Sequence, residues 1–126
     1  MKVITPTADR TVTTPNAAME SLATPSRGST ALSTWRVRMD AGQAGPVHAV
    51  DREQVWMVIS GSLTVTCDGR TETAEAGEAV LLPPDVLRRL GTAPGDGGGV
   101  EALVVMEAGG GAVTEDGTRH RLPWAE

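Results

Sequence analysis

Residues 42–61 read GQAGPVHAVDREQVWMVISG, with a glycine at each end and five consecutive apolar residues, 55–59, close to the second one. A short apolar run bounded by turn residues reads as a strand, and one that is apolar on both faces needs cover on both sides. The pattern continues outward in both directions. On the C-terminal side SLTVTC (62–67) alternates, and Asp68-Gly69 supplies a hairpin turn into 70–74. A short apolar strand at 79–82 is stopped by Pro83-Pro84, 86–90 alternates around Arg88, and 100–107 is the last clear strand. Between these two, GTAPGDGGG (91–99) reads as a flexible loop; no helix start follows it, so it is not a phosphate-binding loop. On the N-terminal side Trp35, Val37 and Met39 alternate with Arg36 and Arg38, a half-buried strand. No convincing helix of more than two turns and no internal repeat is visible. Many short strands with Gly and Pro turns predict an all-β sandwich or barrel.

The flanks are plainer. Residues 1–30 are rich in Thr, Ser and Pro and read as an arm, with a short strand around Val12 and one helical turn at 17–22. The barrel core is expected at 31–107. Residues 108–126 have no strong period and are expected to pack on the barrel or on a partner.

Composition narrows the function classes. The 126 residues suffice for one domain, and 40% apolar content supports a core. Phe and Tyr are absent, leaving Trp35, Trp56 and Trp124 as the aromatics. Few rings, a net charge of −5 and no basic cluster argue against a nucleic-acid partner. Cys67 is the single cysteine, so neither an intrachain disulfide nor a cysteine zinc site can form, which fits a reducing compartment. No apolar run suits a signal peptide or a membrane span, and a cytoplasmic protein with no membrane partner is expected.

Gly42, His48, Gln54 and Gly61, followed after 15 residues by Gly77, Pro83, Arg88 and Thr92, stand at spacings that resemble the two sequence motifs of the cupin superfamily. The resemblance covers about residues 31–107 and implies a double-stranded β-helix, or jelly-roll, barrel. It also implies a pocket metal held by three His and one Glu. Here the chain departs from the pattern. His48 is kept, but Val50 stands at the second His, Gln54 at the Glu and Arg88 at the third His, while Asp85 and Thr92 replace the motif Gly and Asn. Val50 has no lone pair, and a neutral amide is a weak ligand beside a carboxylate. A guanidinium about 5 Å from a dication repels it by about 6 kcal/mol at an effective dielectric near 20. No metal cofactor is therefore expected, with His48 and Gln54 as weak candidates should a divalent ion bind through further ligands.

The register implied by the resemblance points His48, Gln54, Trp56 and Arg88 into the barrel. Together they suit a small organic acid or carbonyl compound. Arg88 would clamp an oxyanion, Gln54 offer an amide, Trp56 a flat wall, and His48 would move a proton as an isomerase or cyclase requires. Two alternatives stand beside this reading: a metal-dependent, dioxygenase-like cupin with atypical ligands, and a non-catalytic binding or dimerisation module. Each residue also has a plainer role. His48 could be a structural histidine, Trp56 core packing, and Arg88 a rim residue paired with Asp85. A one-residue slip would bring Glu53 inside in place of Gln54. His120 reads as solvated in a charged tail, Trp124 as docking that tail, and Cys67 as inert. If Trp56 and Val58 face inward, Met57 and Ile59 face outward and want covering, so a homodimer is expected.

Overall fold

Alternation decides which face of each strand is buried, and the computed structural model, which describes residues 1–93 and 98–126, follows it closely. Its first sheet runs in the order β1 (Thr11–Thr13), β2 (Ala18–Ser21), β3 (Leu32–Met39), β10 (Val100–Glu107), β5 (Gln54–Ser60) and β8 (Ala79–Leu82). The second runs β12 (Arg119–His120), β11 (Ala112–Thr114), β4 (His48–Val50), β9 (Arg88–Thr92), β6 (Ser62–Cys67) and β7 (Arg70–Glu75). All the pairings are antiparallel. The two sheets face each other as a jelly-roll barrel, with the core between their inner faces. Among the described residues no helix is long and apolar enough to cross a membrane.

In β3, Ser33, Trp35, Val37 and Met39 are buried while Arg36 and Arg38 turn outward to pair with Glu20 and Glu101. In β5, Gln54, Trp56 and Val58 are buried, whereas Ile59 is 45% exposed. That frame puts Gln54, not Glu53, inside. Strand β10 lies between these two, with Val100, Ala102, Val104 and Met106 inward.

Two turns fix the strand ends. Gly61 has φ +74°, and a Cβ there would lie 1.9 Å from the carbonyl oxygen of Gly99, so only glycine lets β5 pass into β6 at this point. Asp68 and Gly69, at φ 52° and 74°, close the β6–β7 hairpin with the left-handed pair that a two-residue loop favours.

The flanks differ from expectation. Residues 17–22 do not form a helical turn; 18–21 are strand β2, paired with β3 from Ala18↔Arg38 to Ser21↔Trp35. Met19 and Ser21 alternate inward, and the exposed edge of β3 offers a hydrogen-bonded template that a single helical turn cannot match. Strand β9 also carries through Gly91 and Thr92, two residues into the expected loop; 94–97 lie outside the described residues. The segment after 107 supplies β11 and β12, then a 3-10 turn, Pro123–Ala125, that packs against β2 and β3.

Candidate ligand cavity

The site begins with a row across the second sheet. His48 pairs with Arg88, and Arg88 in turn with Cys67, so three neighbouring strands bring an imidazole, a guanidinium and a thiol to one level of one face. Arg88 is 1% exposed, and no ion pair to Asp85 or any other carboxylate forms among the described residues. Its Nη2 donates to Gln54 Oε1 at 2.6 Å, and Trp56 Nε1 donates to the same oxygen at 3.1 Å. The amide carbonyl therefore has both acceptor positions taken. On its other side Gln54 Nε2 donates to Met106 Sδ at 3.5 Å. Arg88 Nε and Nη1 are buried without a partner among the described residues. Burial pulls the Arg88 pKa down to about 10, opposed by the neighbouring Cys67, so it is charged at neutral pH.

His48 is half-buried. Its Nδ1 lies 2.9 Å from the carbonyl oxygen of Pro46, which can only accept, so the hydrogen-bond network assigns the proton to Nδ1 and the lone pair to Nε2. Burial pushes its pKa below the usual value; the Pro46 carbonyl opposes this, and the Arg88 charge adds to it. The ring is neutral at pH 7.

A cavity of about 410 Å³ lies between the sheets beside this cluster. His48, Gln54 and Trp56 line it, with Val50 and Leu90 beside them. Arg88 is not among the lining residues; it stands behind Gln54 and fixes that amide. Met19, Trp35, Val37 and Met39 form the wall from β2 and β3. The C-terminal segment adds His120, Arg121, Leu122 and Trp124 to the wall, and the loop ahead of β2 adds Thr14, Asn16 and Ala17. All three tryptophans and both histidines of the chain thus border one cavity, and among the described residues no Asp or Glu does.

The sequence reading missed His120, Leu122 and Trp124 as cavity residues. Strand β12 is two residues long and carries no period, so nothing local marks its inner face. Trp124 after Pro123 is the one local signal, and in sequence it points to docking alone. The turn is indeed docked, through Ser21 Oγ to Trp124 O (2.8 Å) and Ser33 Oγ to Ala125 O (2.5 Å), while the Trp124 ring borders the cavity. Asp51 adds a second anchor, accepting from Gly111 N at 2.8 Å and Arg119 Nε at 3.0 Å. Burial alone would raise the Asp51 pKa, but these two donors hold the carboxyl below its usual range.

The donor set does not fit the metal that the motif spacing would imply. Val50 brings a hydrocarbon to one ligand position, Arg88 a buried cation to another, and the Gln54 oxygen is already shared by two donors. Among the described residues no group of three or more His, Cys, Asp or Glu could hold a metal ion.

Comparison with known proteins agrees with this architecture. No match to a curated protein passes the significance threshold. Among solved structures, the polyketide cyclase RemF from Streptomyces resistomycificus superposes with a TM-score of 0.67 at 23% identity, over 82% of this chain and 73% of that one. KdgF from Halomonas sp. gives 0.67 at 16% identity, over 84% and 94%. A RmlC-like cupin with a double-stranded β-helix fold from Methanocaldococcus jannaschii gives 0.66 at 19%, over 86% and 91%. At these identities the likeness is one of fold. The family model described as "Cupin domain" matches residues 35–106, more than half of the chain, and with the motif glycines Gly42, Gly61 and Gly77 and the two-sheet barrel in place, the chain belongs to the cupin family.

Proposed function

We propose that the barrel binds a small, flat organic acid or carbonyl compound without a metal ion, and that His48 moves a proton on it, as in an isomerase or cyclase. The observation that carries this reading is the gathering of every tryptophan and histidine of the chain around one cavity that no carboxylate lines among the described residues. Indole walls favour a planar, conjugated body, and a cavity of about 410 Å³ suits one of a few rings. The unprotonated Nε2 of His48 accepts a proton from carbon beside a carbonyl group. Gln54 Nε2, held only by a long bond to sulfur, has a second hydrogen for the carbonyl oxygen as it gains charge. The Arg88 charge behind the amide favours that enolate. Returning the proton from His48 to a different atom completes an isomerisation and leaves the enzyme unchanged.

Two probes test this: 2-naphthoate for binding, by tryptophan fluorescence quenching, and 2-tetralone in deuterium oxide for proton transfer, by NMR. Wild type should quench with the first and exchange hydrogen beside the carbonyl of the second, before and after chelation with EDTA. His48→Gln should lose about 100-fold or more of the exchange and keep the quenching. Quenching without exchange in wild type would favour the non-catalytic binding module, which the full commitment of the Gln54 carbonyl also suits. Exchange that depends on an added divalent ion would overturn the metal-free reading.

We also propose a homodimer through the outer face of the first sheet. Val105, Val55 and Leu81 form one apolar row there, and Leu103, Met57 and Ala79 the next, with Leu81 64% exposed. Arg36, Arg38, Glu20 and Glu101 flank them with both signs of charge, so a two-fold related copy would meet opposite charges. Sedimentation equilibrium should give a dimer for wild type and a monomer for Leu81→Glu. A wild-type monomer at micromolar concentration would rule the dimer out.

A further inference from the structure

His120 lies far from the His48 end of the cavity, and the strand register says how far. It pairs with Ala112, which pairs with Val50, so it stands two strands, about 10 Å, across the sheet from Val50. His48 is a further two residues along β4, about 7 Å. The two backbones are thus about 12 Å apart across the inner face, with Ala112 and Val50 as the ground between them.

Its neighbours in the chain are committed. Arg119 donates to Asp51 and to the Gly109 carbonyl, and Arg121 pairs with Glu126. The His120 imidazole has no such hydrogen bond among the described residues, yet it borders the cavity. A cavity with a proton-accepting imidazole at one end, apolar and indole walls along its length and a second imidazole at its mouth is matched by a ligand of the same layout.

Resting on the ligand reading above, we propose that His120 is a specificity-determining residue which hydrogen-bonds a second oxygen-bearing group at the outer end of the ligand. The ligand class is then a flat apolar body with an oxygen function at each end. The segment that carries His120, with Leu122 and Trp124, is the part of the wall that selects it.

The experiment compares 2-naphthoate, with one polar end, and 6-hydroxy-2-naphthoate, with two, by calorimetry on wild type, His120→Leu and His120→Gln. Wild type should bind the hydroxylated probe about tenfold more tightly, the contribution of one net hydrogen bond. His120→Leu should lose that advantage and bind the two probes equally; His120→Gln, which keeps a hydrogen-bonding group, should retain most of it. His120 is exposed, so neither substitution disturbs the core, and matching melting curves would show it. Equal affinities for the two probes in wild type, or an advantage that survives in His120→Leu, would overturn the role of His120 and leave the cavity reading standing. Failure of wild type to bind either probe would overturn the cavity reading itself.

Discussion

The two halves of the barrel are made from the same pair of sheets and are filled differently. Where β5 and β8 face β6 and β7, side chains meet: Leu63 is 0% exposed, Val58, Val65, Ala74 and Leu82 are buried around it, and none of these borders the cavity. Where β2 and β3 face β4, β11 and β12, the inward residues are as apolar, yet they surround an open volume. The strands on the second side are short, three residues in β4 and β11 and two in β12. They bring too few side chains to fill the space, and a 3-10 turn completes the wall. A filled half gives stability and a hollow half gives a site. Arg88, Gln54 and Trp56 sit at the boundary.

The largest test of that contrast uses one substitution in both halves. Leu63→Ala should cost about 4 kcal/mol in urea unfolding, because it opens a void in filled core. Leu90→Ala removes the same atoms beside an existing cavity and should cost about 2 kcal/mol. Equal costs would erase the distinction between the halves.

At the boundary, Gln54→Leu removes the acceptor of the buried Arg88 guanidinium and should cost about 3 kcal/mol. Arg88→Met removes the buried charge and should leave stability unchanged or higher, and adding it to Gln54→Leu should recover most of the loss. A large loss in Arg88→Met alone would show that the cation holds the boundary together.

A smaller effect should appear with pH. The His48 pKa is lowered on folding, so the unfolded chain takes up that proton first as the medium acidifies. The contribution of neutral His48 is therefore fully present above pH 6.5 and is lost as pH falls below 6.5 through the folded-state value. His48→Gln should flatten the stability profile in that window, and an unaltered slope would contradict the assignment. The smallest effect is expected at a solvent-exposed ion pair on β7. Arg70 and Glu72 are 77% and 69% exposed, and Glu72→Gln should leave the melting temperature unchanged within error.

Much of the filled half was legible from the sequence. The bounds of β8 and β10, the β6–β7 hairpin and the inward frame of β5 could be read from alternation, from Asp68-Gly69 and from the motif spacing. Of the residues that the motif spacing points inward, His48, Gln54 and Trp56 border the cavity. Placing Arg88 behind Gln54 rather than in the cavity needed coordinates, because strand period gives the face of a residue and not how far its side chain reaches past a neighbour. The hollow half was harder to read, since β2, β11 and β12 are held by what they pair with and not by local propensity.

By itself the sequence determined an all-β barrel, its motif-bearing strands and the loss of the metal-ligand pattern, because period, turn residues and spacing are local properties of the chain. Only the tertiary structure decided that a cavity exists and that Trp35, Trp124 and His120 share it with His48. Those residues lie far apart in sequence, and their meeting depends on how the two flanks close one end of the barrel.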